Sequence, residues 1–202
     1  MIIVITDRKI SARRDFLEQI ELIAEAKPDM IILREKDVSE QEYKYLAIEC
    51  ARLCSYHNVK FCVNSFIKTA KTINNGRIQL SFGSFISHLN ELGAYEEIWV
   101  SVHTPDEAAD ADALGATHLI YGNIFETSCK PGTEGKGLDE LERVCRRVHV
   151  PVYAVGGITP MNTEMVLRTG CKGVCLRSFF MKCEDPLPEM RSLKRILSSQ
   201  GK

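Results

Sequence analysis

The side chains of this sequence best suited to chemistry are cations and glycines at the ends of short apolar runs. One run ends in Val155-Gly156-Gly157-Ile158, where Gly156 and Gly157 let backbone N–H groups approach an anion closely. Another ends in Leu33-Arg34-Glu35-Lys36, in which Arg34 and Lys36 share one side of an extended strand and can grip a phosphate together. The plainer alternatives are a tight turn and an exposed ion-pair cluster. The two motifs together predict a site for a small phosphorylated ligand.

A histidine and a long polar loop add candidate catalytic groups. His103 follows another apolar run, and histidine is the side chain that titrates near neutral pH when unperturbed; a structural role is the alternative. The segment 125–137 is polar and rich in glycine. Such a loop is typical of a lid that excludes water from a site, or of a surface insertion.

Charge and cysteine content exclude several classes of protein. The chain has 26 Lys and Arg against 27 Asp and Glu, so no excess of cations is available for nucleic acid or an acidic membrane. Its eight cysteines include no Cys-x-x-Cys pair, so we expect reduced, mostly buried thiols rather than disulfides or a zinc site. No apolar run reaches the roughly 20 residues that span a bilayer, and the N-terminal run is too short for a signal peptide. We therefore expect a cytoplasmic protein.

Short β-branched runs alternate with amphipathic, helix-length segments along the whole chain. The runs lack strict apolar/polar alternation, as in parallel strands covered on both faces. Eight strand–helix units in 202 residues predict a single (β/α)8 TIM barrel that forms one domain over residues 1–202. The alternative, an open doubly wound sheet, lacks its G-x-G-x-x-G fingerprint. The predicted strands are Ile2–Ile5, Met30–Leu33, Lys60–Val63, Arg77–Leu80, Ile98–Val102, His118–Tyr121, Val152–Val155 and Gly173–Leu176. The predicted helices are Asp15–Ala26, Ser39–His57, Ile67–Asn74, Phe85–Leu92, Pro105–Leu114, Leu138–Val148, Pro160–Thr169 and Pro186–Ser198.

The functional groups of such a barrel come from the carboxyl ends of the strands and the loops that follow them. This rule adds further polar residues to the site, namely Asn64, Ser101, Arg177 and Ser178. Basic groups and small hydroxyls dominate the strand ends, which again favours an anionic ligand.

The order of these residues resembles the thiamine phosphate synthase/TenI superfamily. The motifs are Ile5-Thr6-Asp7, Leu33-Arg34-Glu35-Lys36, Ser101-x-His103-Thr104, Gly122-x-Ile124-Phe125-x-Thr127-x-Cys129-Lys130 and Ala154-Val155-Gly156-Gly157-Ile158. The resemblance spans essentially the whole chain and implies a (β/α)8 barrel. It further implies that a pyrimidine diphosphate is bound by Arg34, Lys36, Asn64, Ser101 and Lys130, and a thiazole phosphate by Thr127, Gly157 and Ser178.

The resemblance also implies a magnesium site, for which this sequence lacks the acidic residues. The two acidic positions of the family's metal motifs are Ser65 and Ser84 here. A neutral hydroxyl does not replace a carboxylate toward a hard dication that holds a pyrophosphate. We therefore expect no cofactor and no synthase activity, with magnesium required only if the protein is a synthase.

The loop after the sixth strand looks like the other branch of the superfamily, the TenI thiazole tautomerases. The resemblance implies a proton transfer that aromatises a carboxythiazole phosphate, which needs acid/base groups but no metal. The catalytic histidine of that branch is replaced by Asn123, and an amide does not accept a proton near pH 7. His103, Cys129 and Lys130 are the candidates to move the proton instead.

Three functions stay open, and the sequence favours the first. They are a metal-independent, TenI-like thiazole tautomerase, a thiamine phosphate synthase, and a non-catalytic binder or sensor of a phosphorylated ligand. In each case we expect a small phosphorylated thiazole or pyrimidine as the partner, without nucleic acid or membrane. A homo-oligomer is compatible with all three.

Replacing Gly157 by valine tests the predicted phosphate site. The branched side chain would occupy space through which the backbone approaches the ligand, so we expect phosphate binding to be lost in a barrel that stays folded. Titration calorimetry with a phosphorylated ligand and circular dichroism would measure the two effects. Unaltered ligand affinity would mean that the phosphate site lies elsewhere.

Overall fold

A computed structural model describes residues 1–11, 14–73, 76–127, 132 and 134–199. Its strands are parallel and pair in chain order, and the last strand returns to pair with the first. The predicted TIM barrel is therefore confirmed. The strands are β1 Ile2–Ile5, β2 Met30–Leu33, β3 Lys60–Asn64, β4 Arg77–Ser81, β5 Glu97–Val102, β6 His118–Gly122, β7 Val152–Val155 and β8 Gly173–Leu176.

Helices connect the strands and cover the outside of the barrel. A short 3-10 turn, Arg8–Ile10, precedes the first helix, and two helices follow β8. The helices are α1 Phe16–Glu25, α2 Glu40–Tyr56, α3 Ile67–Ile73, α4 Phe82–Ser87, α5 Pro105–Ala113, α6 Gly137–Arg147, α7 Pro160–Leu167, α8 Ser178–Met181 and α9 Pro186–Ser199.

Seven of the predicted helices agree with the structure to within two residues at each end, whereas α4 is displaced and α8 was not predicted. α4 begins earlier than Phe85 because the Ser81 hydroxyl accepts the N–H of Ser84 at 3.3 Å and caps the helix. It also ends earlier, and the 3-10 turn Leu89–Ala94 follows it. α8 is only four residues long, too short to show a helical period, so the sequence pattern does not predict it.

Apolar side chains form two layers, one on each face of the strand ring. Val4 and Leu33 belong to the layer between strands and helices, while Ile3, Met30 and Trp99 belong to a cluster inside the barrel. All five are fully buried. Burial on both faces explains why these strands read as continuous apolar runs.

The described cysteines are free thiols, most of them packed as small apolar residues. Cys50, Cys54 and Cys62 are buried and unbridged. Burial raises the pKa of Cys54 to about 12, so this thiol stays protonated at neutral pH. Within the described ranges, no three His, Cys, Asp or Glu side chains are grouped so that they could hold a metal ion. No helix in those ranges combines the length and apolar character needed to cross a membrane.

A polar and aromatic cluster closes the amino-terminal end of the barrel. The Glu97 carboxylate accepts a hydrogen bond from the indole Nε1 of Trp99 at 3.0 Å. It also accepts from Arg77 Nε at 3.0 Å and from Lys60 Nζ at 3.2 Å. The His118 ring stacks on Trp99 with centroids 4.0 Å apart. Burial alone would raise the pKa of Glu97, but the three donors and the two cationic charges outweigh it and hold that pKa below its usual value.

Glu97→Gln should destabilise the barrel at pH 7 by about 1–3 kcal/mol, because three buried or half-buried donors lose a charged acceptor. The carboxylate's contribution is present above its unfolded-state pKa near 4.5 and is lost as the pH falls through the lowered folded-state pKa. The difference between variant and parent should therefore shrink under acid conditions. Urea unfolding at several pH values measures it, with the exposed neighbour Glu96→Gln as the control. Equal stability of Glu97→Gln and the parent at pH 7 would contradict this account.

Candidate functional site

A cavity of about 740 Å³ opens at the carboxyl ends of the strands. Its lining includes every predicted binding residue that the structure describes and two of the four predicted catalytic residues. The binding residues that line it are Arg34, Lys36, Asn64, Ser101, Thr127, Gly156, Gly157, Arg177 and Ser178, and the catalytic candidates that line it are His103 and Asn123.

Four further predicted positions are not among the described residues of this lining. Cys129 and Lys130, the remaining catalytic candidates, lie outside the described residues. Ser65 and Ser84, the positions at which the resemblance implies magnesium ligands, do not line the cavity.

Several residues that line the cavity were not predicted from the sequence. Gln79 precedes Ser81 by two positions in β4, so the period of a strand places both on one face and could have revealed it. Lys182 directly follows α8, and Glu189 lies in α9. No local pattern marks them, because their position depends on how those helices pack.

A buried hydrogen-bond chain fixes the end of β2 against β1. The Thr6 hydroxyl donates to Glu35 Oε1 at 2.6 Å and accepts the backbone N–H of Arg34 at 2.9 Å. Glu35, only 2 % exposed, also accepts the backbone N–H of Arg8 at 3.1 Å. Burial raises the pKa of Glu35, and the hydrogen bonds from Thr6 and Arg8 oppose that rise. With Glu35 held on the β1 side, its neighbours Arg34 and Lys36 line the cavity.

The acidic residues of this segment pair with cations from the turn after β1. Asp37 lies 3.2 Å from Arg8 Nη2 and 2.9 Å from Lys9 Nζ. The Lys9 hydrogen bond is the main reason that the pKa of Asp37 is lowered. Asp37 therefore forms its ion pairs with Arg8 and Lys9, which lie outside the 34–37 segment.

Amides and hydroxyls form a row across β3, β4 and β5 along one wall of the cavity. Asn64 Nδ2 donates to Gln79 Oε1 at 2.5 Å, and Gln79 Nε2 donates to Ser101 Oγ at 2.8 Å. The Tyr43 hydroxyl supports the row from below, because it accepts the Asn64 backbone N–H at 2.9 Å and donates to the Leu33 carbonyl at 2.6 Å. This row of side chains is polar and carries no formal charge.

The histidine after β5 and the asparagine after the neighbouring strand β6 are held by backbone carbonyls. His103 Nδ1 lies 2.6 Å from the carbonyl oxygen of Gly122, so Nδ1 carries the proton. In the neutral ring Nε2 is then the acceptor. Asn123 Nδ2 donates to the carbonyl of Phe125 at 3.3 Å. The amide thereby braces the loop that leads to Thr127.

The two glycines after β7 sit where a side chain would not fit. Gly156 and Gly157 have φ values of 103° and 65°, which L side chains rarely adopt. A Cβ atom on Gly157 would lie 2.7 Å from the carbonyl oxygen of Glu126. Gly157→Val would therefore displace the loop that carries Thr127 as well as block an approaching ligand, a second effect that the sequence alone does not predict.

An ion pair joins the two ends of the chain at the mouth. Arg177 Nη1 lies 3.7 Å from Asp7 Oδ2, with both side chains about four-fifths buried. Arg177 immediately precedes α8, whose first residue is Ser178. The cavity thus carries cationic side chains directly after β2 and after β8, with the glycine turn between β7 and α7.

This arrangement defines a (β/α)8 barrel protein with an anion-attracting cavity at its carboxyl end. The sequence profile described as thiamine monophosphate synthase matches residues 2–180. The chain belongs to this family.

Relatives of known name support the same family. A thiamine-phosphate synthase from Clostridium acetobutylicum is 29% identical over 182 residues, which cover 89% of this chain and 86% of the relative. One from Clostridium botulinum is 31% identical over 90% of both chains. Among solved structures, a thiamine phosphate pyrophosphorylase from Pyrococcus furiosus shares 25% identity and a TM-score of 0.84, covering 98% of this chain and 95% of that one.

These comparisons correct the function that the sequence favoured. The expectation of a thiazole tautomerase without synthase activity is wrong, because the family profile and the relatives across the chain are those of thiamine-phosphate synthases. They support an enzyme rather than a non-catalytic binder. The three substituted positions Ser65, Ser84 and Asn123 indicate which groups are absent, whereas the similarity to synthases extends over residues 2–180.

Thr6→Val tests the chain of hydrogen bonds that fixes Arg34. Valine keeps the shape of threonine but leaves the Glu35 carboxylate and the Arg34 N–H without their shared hydroxyl, so we expect a loss of about 1–3 kcal/mol in stability. Pyrophosphate binding should weaken as well, because the position of Arg34 is no longer fixed. Urea unfolding and titration calorimetry measure the two effects. Thr6→Ser, which retains the hydroxyl, is the control, and equal behaviour of the valine and serine variants would refute the role of this hydroxyl.

Proposed function

We propose that this protein catalyses the thiamine-phosphate synthase reaction, in which a pyrimidine diphosphate and a thiazole phosphate are joined and pyrophosphate is released. The observation that carries the proposal is the family match over residues 2–180, which includes every described residue proposed to bind either substrate. The substrates are then small phosphorylated heterocycles, and residues 1–202 act as one catalytic domain.

The cavity offers separate positions for the two anionic groups. Arg34 and Lys36 on the β2 side are suited to the diphosphate, since guanidinium and ammonium groups form charge-assisted hydrogen bonds to phosphate oxygens. The turn at Gly157 and the start of α8 at Ser178 are suited to the monophosphate, with Arg177 adding positive charge. Substrates held in this way would meet over the uncharged row of Asn64, Gln79 and Ser101.

The proposed reaction requires little acid/base catalysis by the protein. The bond between the pyrimidine methylene carbon and the diphosphate oxygen breaks, and its electron pair leaves with the diphosphate. The thiazole nitrogen supplies the pair that forms the new carbon–nitrogen bond. Because no proton moves in this balance, the amide of Asn123 is compatible with the reaction, whereas proton transfer would require a titratable group there. The protein's tasks are orientation and stabilisation of the departing charge.

A direct assay tests the proposed function. Purified protein is incubated with hydroxymethylpyrimidine diphosphate and thiazole phosphate, in magnesium and separately in EDTA, and thiamine phosphate and pyrophosphate are measured by chromatography. We expect equimolar products in at least one condition, and a fall of about tenfold or more for Arg34→Gln because one charge-assisted contact is lost. Lys44→Gln, at an exposed position on α2, is the control. Absence of product in both conditions would refute the proposal.

A further inference from the structure

The magnesium ion that the family implies does not fit the residues of this cavity. Ser65 and Ser84 stand at the two acidic positions of the metal motifs, and neither lines the cavity. The Ser65 hydroxyl donates to Asn64 Oδ1 at 3.1 Å, and Ser84 lies in the first turn of α4, where its N–H is capped by Ser81. These hydroxyls are parts of a neutral hydrogen-bond network and a helix start, and a hard dication prefers carboxylates.

The carboxylates near the mouth lie elsewhere. Of the described residues that line the cavity, Glu126 and Glu189 are acidic. Glu126 follows β6, four strands away from β2 in the closed ring, and Glu189 belongs to α9. Asp7 is paired with Arg177, and Glu35 is buried against Thr6. No acidic group of the described cavity therefore lies on the strands β2 to β5, where a metal-bound diphosphate would have to be held.

The same wall provides positive and neutral groups instead. Arg34 and Lys36 line it on β2, and the next three strands contribute the row Asn64, Gln79 and Ser101. Two carboxylates at positions 65 and 84, without a metal ion, would repel a nearby diphosphate, whereas amides and hydroxyls do not. With serine at positions 65 and 84, the site lacks both the carboxylates that would repel the diphosphate and the ligands for a magnesium ion that would neutralise them.

We propose, on the basis of the proposed function, that this site binds the diphosphate as the metal-free anion, held by Arg34 and Lys36 with no magnesium ion between them and the phosphate oxygens. When the carbon–oxygen bond breaks, the electron pair passes to the diphosphate, and the two cations stabilise it there. The amide and hydroxyl row orients the anion without adding charge. Magnesium is then unnecessary both for binding and for departure of the leaving group.

Binding of inorganic pyrophosphate to the full-length protein tests this inference by titration calorimetry, in EDTA and in excess magnesium. We expect binding in EDTA, with equal or weaker apparent affinity in magnesium because the ion sequesters pyrophosphate in solution. Binding that needs magnesium, or that tightens tenfold or more with it, would overturn the inference. Failure to bind in both conditions would overturn it equally, since the site would then hold no diphosphate.

Charge variants show whether the two cations carry the binding. In EDTA, Arg34→Gln and Lys36→Gln should each weaken pyrophosphate binding by about tenfold or more, through loss of a charge-assisted hydrogen bond. Lys44→Gln on the outer surface should bind as the parent does. Equal affinities for all four proteins would contradict the inference. Circular dichroism confirms that the variants are folded, so a loss of binding reports on charge.

Manganese provides a second readout that does not depend on turnover. Its electron paramagnetic resonance signal should show no protein-bound ion in the presence of pyrophosphate, and a bound ion would refute metal-free binding. The proposed function fails separately, through absence of thiamine phosphate in the assay above. Product formed only with magnesium would leave the function standing and overturn the inference about the metal.

Discussion

Closure of the strand ring is the constraint on which the rest of this structure depends. β1 has to pair with β8 as well as with β2, in a register that sets Ile2 against Val174 and Ile3 against Met30. No described strand is then left with an open edge, and all of the carboxyl ends face one opening. Closure brings Asp7 and Arg177 together from the two ends of the sequence. A cavity lined by residues on or directly after all eight strands follows from this geometry.

The fold was predictable because short apolar runs alternate with amphipathic, helix-length segments along the sequence. Strands buried on both faces read as apolar runs, so β1, β2, β7 and β8 have the predicted bounds, and the other four strands differ by one residue at an end. The site was predictable only where it follows strand ends. The hydrogen bond from Gln79 to Ser101 depends on the register between strands, and the place of Lys182 depends on helix packing. Neither quantity is encoded in a local run of residues.

The choice between branches of the family shows what single substitutions do and do not reveal. Ser65, Ser84 and Asn123 say which groups are absent, but a reaction is defined by the bonds that change. Carbon–nitrogen bond formation with loss of a diphosphate needs charge stabilisation, which an ammonium, a guanidinium or a metal ion can supply. Loss of a metal ligand therefore excludes stabilisation of the leaving group by a metal ion. It does not exclude the reaction, because cationic side chains can stabilise the same charge.

The side chains that fill the amino-terminal end of the barrel determine where ligands enter and leave. Trp99 and Tyr153 fill the interior below the cavity, and the Glu97 cluster lies beneath them. Within the part of the chain that the structure describes, these side chains block the amino-terminal end, so ligands enter and leave the cavity at the carboxyl ends of the strands. Only ligands that lie one behind the other in such a cavity have to enter and leave in a fixed order. Ligands that bind side by side after β2 and after β8 can share the opening in either order.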